Sequence, residues 1–217
     1  MQQHPTYPHF FIVDHPLIQH KLTQMREKHV EAFGFRTLLR EISMLIGYEI
    51  TRGMEVQNRT IETPLARMAA PSLVGPSPCI VPILRAGLGM ADGLLDLIPT
   101  AQVGHLGVYR DETTKRPVQY LHRLPTNKGQ WFFIVDPMLA TGNSLAYCCD
   151  LLIKHGIEPH KIRAMSLVAA PEGLATFFNK HPNIKVYCAA LDERLNDTAY
   201  IVPGLGDAGD RMFGTVE

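Results

Sequence analysis

Several things are scarce in this chain, and each scarcity excludes something. Its 217 residues include only four cysteines, Cys79, Cys148, Cys149 and Cys188, with no CxxC or Cys/His spacing suited to zinc. They read as reduced cytoplasmic thiols. Uninterrupted apolar runs of membrane-spanning length are missing, and MQQHPTYPHF lacks a basic segment followed by a long apolar run, so neither a membrane span nor an export signal is expected. An excess of one charge is missing too: 21 Lys and Arg balance 21 Asp and Glu, both spread along the chain, which argues against nucleic acid or an anionic membrane as the main partner. The Walker sequence GxxxxGK[ST], the zinc sequence HExxH and the nucleophile elbow GxSxG do not occur, so a simple nucleotide hydrolase, a zinc protease and covalent serine catalysis have no support. The default partner is a small molecule.

What is present has a regular order. Leu38, Leu39, Ile42, Leu45, Ile46 and Ile50 recur at helical spacing and predict an amphipathic helix from Gly34 to Thr51. Beyond it, the apolar runs CIVPIL, AQVGHLGVY, WFFIVD, IRAMSLVAA and IKVYCAAL alternate with the helix-like GLGMADGLLDLI, SLAYCCDLLIKHG and PEGLATFFNKH. Near-continuously apolar strands alternating with helices indicate an α/β fold, a doubly wound, mostly parallel sheet with helices on both faces. Without repeats or a low-complexity linker, residues 1–217 read as a single domain. DETTKRPVQYLHRL suggests a flexible hairpin or lid, and TIETPLARM a small strand pair outside the main sheet.

Chemistry is expected at the carboxyl ends of such strands. VDPMLATGNS, residues 135–144, ends an apolar strand on Asp136 and turns into a helix, with Gly156 as its stop. Thr141, Ser144 and the loop N–H groups suit a phosphate monoester, and Asp136 suits sugar hydroxyls; alternatively Asn143 or Ser144 merely caps the helix and Asp136 is solvated. Arg85 and Arg110 each follow a strand, as anion clamps or as ordinary surface arginines. PGLGDAGD contains a literal GxGxxG, but the chain ends at Glu217, before the acidic residue a dinucleotide site needs about 20 positions on. Its glycines either bring main-chain groups close to a flat ligand or form a simple turn.

Together, AFGFRTLLREISMLIGYEITR, TIETPL, PILRAGLGM, YRDETT, VDPMLATGNS, VAAPEG and LNDTAYIVPGLGDAGDRMFGT resemble the uracil phosphoribosyltransferase family of the type I phosphoribosyltransferase fold. The resemblance implies a sheet with a small hood, and transfer of phosphoribose from 5-phosphoribosyl 1-diphosphate to uracil, with Mg2+, giving UMP and diphosphate. It implies that Asp136, Pro137, Met138, Leu139, Ala140, Thr141, Gly142, Asn143 and Ser144 hold the ribose 5-phosphate and ring hydroxyls. By the same likeness Arg85 and Arg110 bind the diphosphate, and Asp207 faces the donor through Mg2+ or its waters, these three being the catalytic set. Ile201, Gly206, Asp207 and Ala208 would meet uracil. A homodimer or higher homo-oligomer and a GTP effector without assigned residues are also implied. Two departures stand out: Asn143 replaces a usual glycine, and Gln119 a common proline. The rival readings are a transferase for another base, for which a second acid beside Asp136 would be expected where Pro137 stands, and a regulatory protein that has lost turnover.

Overall fold

The computed structural model describes residues 1–110 and 117–215, apart from the side chains of 108–110, 117–120 and 122. In chain order the strands are β1 (Gln2–Gln3), β2 (Phe10–Ile12), β3 (Val56–Glu62), β4 (Arg67–Leu73), β5 (Cys79–Pro82), β6 (Gln102–Val103), β7 (His105–Arg110), β8 (Pro117–Arg123), β9 (Phe132–Val135), β10 (Met138–Leu139), β11 (Ile162–Ala169), β12 (Lys185–Leu191), β13 (Arg194–Leu195) and β14 (Ile201–Val202). The helices are α1 (Pro16–Arg26), α2 (Ala32–Thr51), α3 (Gly87–Leu97), α4 (Asn143–Lys154), α5 (Pro171–Lys180) and α6 (Ala208–Phe213). The main sheet runs β1-β2-β12-β11-β9-β5-β6, with β10 added alongside β11. All its pairings are parallel except β1 with β2.

Every strand and helix read from the alternating pattern is present, with one change. The run AQVGHLGVY divides at Gly104: β6 joins the sheet edge, whereas β7 turns away to pair with β8. That hairpin is the one expected around DETTKRPVQYLHRL, although residues 111–116 lie outside the described residues. β3 and β4 form the separate strand pair expected around TIETPLARM. β13 and β14 form a further small pair, the hood, tied to α5 where the Leu195 N–H donates to Glu172 Oε1 at 3.0 Å. Helix α1 carried no clear sequence signal; the His15 ring accepts from the Leu17 N–H at 3.2 Å and starts it, with Pro16 in its first turn.

The strand period of two divides the core between the sheet faces. Phe133 and Val135 of β9 join the cluster under α1, α2, α3 and α6, while Phe132 and Ile134 join the one under α4 and α5. All four are fully buried, and each contributes about 1.5–3 kcal/mol by leaving water. Below this core, at the amino end of β11, the buried Arg163 donates to the carbonyl of Ile50 near the end of α2 and lies 4.0 Å from the Trp131 ring centroid. The guanidinium thereby serves an otherwise open helix end and its negative dipole. Among the described residues no helix is long and apolar enough to cross a membrane.

α2 and α3 approach closely because glycine lines their contact. A Cβ on Gly93 would lie 2.4 Å from the carbonyl oxygen of Arg40, a backbone atom that cannot step aside. Gly93→Ala is therefore expected to cost about 1–3 kcal/mol and lower the melting temperature by roughly 3–10 °C. Gly34→Ala, on the same α2 but meeting only a Val30 methyl at 3.3 Å, should melt at or above the parent temperature, as checked by calorimetry.

Candidate active site

The site begins where β9 stops. The Asp136 N–H donates to the carbonyl of Met165 at 3.1 Å, and the carbonyl of Pro137 accepts from both Leu167 and Val168 at 3.0 and 3.1 Å. This fastening spans the gap between β9 and β10, both of which pair with β11. The chain then reverses at Gly142, whose φ of 77° is left-handed, and enters α4. Gly142 takes the N-cap position without a side-chain hydrogen bond, so Asn143 and Ser144 open the helix and neither caps it. The first-turn N–H groups stay open to a ligand, and Asp136, Met138, Leu139, Ala140, Thr141, Gly142, Ser144, Leu145 and Ser166 line a cavity of about 80 Å³ there. The loop is seated firmly: a Cβ on Gly142 would lie 2.4 Å from the carbonyl oxygen of Gly173, in the first turn of α5.

Asn143 does not need the left-handed conformation that a usual glycine at this position suggests. Among the described residues the only non-glycine with positive φ is Ala199. The Asn143 side chain is exposed, and its Nδ2 donates to Thr141 Oγ1 at 3.4 Å. Pro137 is buried beneath the loop.

Asp136 is neither fully solvated nor well paired. Its Oδ1 accepts from the Met138 N–H at a long 3.3 Å, and burial, with a smaller contribution from the charge of Asp207, pushes its pKa up to about 7. A half-buried carboxylate with spare acceptor capacity suits a hydroxylated ligand. The adjoining cavity of about 250 Å³ is lined by Arg85, Ala86, Asp136, Met138, Asp207, Ala208 and Gly209. Arg85 leaves β5, the neighbour of β9, and is 61% exposed; its Nη2 is 3.5 Å from Asp210 Oδ1, a loose ion pair that leaves the guanidinium free to serve an anion. The backbone of Arg110 ends β7, and its side chain lies outside the described residues, as does that of Gln119 in β8.

PGLGDAGD does not open a long helix. Gly204 and Gly206 take φ of 61° and 76°, and Asp207 Oδ1 accepts from the Asp210 N–H at 2.9 Å to cap the six-residue α6. Ile201, Gly206, Asp207 and Ala208 meet Met138, Ala140, Thr141, Ser144, Thr198, Ala199 and Tyr200 around a cavity of about 330 Å³. What holds this loop was missed in the sequence. Arg26 grips Asp192 through two bonds of 2.8 and 2.6 Å and also donates to the carbonyl of Gly204, while Asp192 Oδ2 accepts from the Gly204 N–H at 2.9 Å. Arg211 ties the loop to α1 by donating to the carbonyls of Leu205, Met25 and Glu27. Asp192 follows the apolar run IKVYCAAL as Asp136 follows WFFIV, so the same signal was available for it.

The three cavities adjoin, sharing Met138, and line the carboxyl ends of β5 and β9, where the chain order across the sheet reverses. Among the described residues no three His, Cys, Asp or Glu side chains gather as a metal site, and all four cysteines are free and buried.

The chain is 57% identical over 215 residues to uracil phosphoribosyltransferase of Rhodospirillum centenum, covering 99% of this chain and 100% of the relative. It is 54% identical to the protein of that name from Burkholderia thailandensis, with 99% of both covered. A solved structure of a protein from Aquifex aeolicus superposes with a TM-score of 0.88 at 36% identity, over 94% of this chain and 97% of that one. The model of the uracil phosphoribosyltransferase family matches residues 12–215, and this chain belongs to that family.

Proposed function

We propose that the chain transfers the phosphoribosyl group of 5-phosphoribosyl 1-diphosphate to uracil, giving UMP and diphosphate, a step of pyrimidine salvage. The observation that carries this reading is the set of three contiguous cavities, sized for a phosphate, a flat base and a second anion, on a chain of this family. In it, residues 136–144 receive the ribose 5-phosphate. Thr141, Ser144 and the first N–H groups of α4 donate to the phosphate, and Asp136 accepts from the ring hydroxyls. Main-chain groups of Ile201, Gly206 and Ala208 face uracil. Its edge alternates N–H and C=O, so a backbone edge can pair with it and disfavour cytosine, whose amino group inverts one position.

Arg85, with Arg110, takes the diphosphate end, where negative charge grows as the bond to the anomeric carbon breaks. The loops hold the uracil nitrogen in line with that carbon, and no strong general base is required. Asp136 and Asp207 share the cavity that contains Arg85, a donor set that fits Mg2+ held by one carboxylate, water and phosphate oxygens. When bound, Mg2+ supplies charge neutralisation to the diphosphate. Pro137 after Asp136, in place of a second acid, favours a pyrimidine over a purine. A cytoplasmic homodimer or higher oligomer with a GTP effector belongs to the same proposal.

With uracil, the phosphoribosyl donor and Mg2+, the protein should form UMP; binding of both substrates without UMP would remove the enzymatic reading. Asp207→Ala should lower kcat by about 100-fold while costing only the roughly 1 kcal/mol of a lost helix cap, and unchanged activity would take Asp207 out of the site.

Stability depends on pH through Asp136. Its pKa rises from 3.8 in the unfolded chain to about 7, so the stability it contributes is intact below about pH 4 and is lost as pH rises to about 7. Asp136→Asn should therefore melt a few degrees above the parent near pH 8 and level with it near pH 4, yet bind the donor more weakly. Equal melting at both pH values would refute the buried-charge account. For Asn143→Gly, a KM for the donor within about threefold of the parent is expected, because the side chain is exposed, does not line the 80 Å³ cavity and holds Thr141 Oγ1 only at a long 3.4 Å; a large improvement would mark Asn143 as an impairment.

A further inference from the structure

Ser166 lies on β11 at the level where β9 has ended and β10 begins. Its neighbours Met165 and Leu167 belong to the α2 face, so strand alternation turns Ser166 to the α4 face. It is 1% exposed, and its Oγ is, among the described residues, a buried side-chain polar atom with no hydrogen-bond partner. Such an orphan costs about 1–3 kcal/mol, and buried polar atoms are otherwise nearly always paired.

The hydroxyl lines the 80 Å³ cavity together with Thr141, Gly142 and Ser144. The N-terminus of the 12-residue α4 opens on the same space without a capping side chain. Two independent features therefore offer donors to one small volume, a helix start and a buried hydroxyl beneath it. The Asp136 carboxylate borders that volume and opposes an anion, so donors must outweigh it.

We propose that Ser166 is a further phosphate-binding residue, its hydroxyl donating from the cavity floor to an oxygen of the phosphate group received by the α4 N-terminus. This rests on the transferase reading above and adds a donor from the sheet itself to those of the loop. The hydroxyl rotates freely, so it meets an incoming oxygen without moving the strand.

Ribose 5-phosphate binding, measured by calorimetry on the parent, Ser166→Ala and Ser166→Cys, tests the assignment. Ser166→Ala should bind about ten- to 100-fold more weakly, the loss of one hydrogen bond to a charged group. KM for the phosphoribosyl donor should rise in step while KM for uracil stays within about twofold. The ligand-free melting temperature should not fall, because no bond within the protein is removed. Ser166→Cys, close in volume and a weaker donor, should lie between. Parent-like affinity in Ser166→Ala, or a fall of several degrees in its ligand-free melting temperature, would overturn the proposal by showing an idle or a structural hydroxyl. If the parent itself does not bind ribose 5-phosphate, the transferase reading falls and this assignment with it.

Discussion

The parallel pairing of β5 with β9 is the contact on which the rest of the site depends. Pro82 stands opposite Val135, and the Ile83 N–H donates to the carbonyl of Val135 at 3.0 Å. The two strands therefore stop together, and the residues that follow them, Arg85 and Asp136, emerge side by side. α3 begins against the same point: a Cβ on Gly87 would lie 2.5 Å from that Val135 carbonyl oxygen. Apolar burial beneath fixes the register, since a one-residue slip would turn Phe132 and Ile134 to the wrong face. Cation and carboxylate are thus delivered to one place by packing that involves neither.

Stability and binding pull against each other at that place. The core would be served better by a neutral residue than by Asp136, whose charge is half-buried with one long hydrogen bond. Ser166 is left without a partner, and α4 without a cap. These open valences lie around one small cavity, where a ligand rich in charge and hydroxyls can satisfy them. Elsewhere comparable groups are closed off: Arg163 is taken up by the end of α2, Arg26 by Asp192, and Arg211 by three carbonyls.

The sheet was legible because its strands are apolar almost throughout and glycine, proline or a carboxylate closely follows them. The loop that follows β9 was legible because a carboxylate ended that strand and hydroxyl residues followed. Less visible was anything that depends on distant pairs. Arg26 and Asp192 stand 166 positions apart, and no local pattern announces their bond. Helix α1 is a weak helix by composition, built around its contacts with β12 and α2. The significance of Gly173 was hidden for the same reason: it forms the floor on which Gly142 rests, a close backbone approach without a periodic signature. Asn143 in place of the usual glycine leaves the loop backbone intact, because within residues 136–144 the left-handed turn is confined to Gly142.

Trp131, the single tryptophan of the chain, precedes β9 at its amino end, where Arg163 and Lys161 face its ring at 4.0 and 4.8 Å. Asp136 lies at the other end of the same strand, about 16 Å away at strand rise. The molecule's natural fluorophore is thus embedded in the contact that closes α2 and is remote from the cavities. With surroundings set by Arg163 and Lys161 and not by the cavities, its emission should report the scaffold's state separately from occupancy of the site.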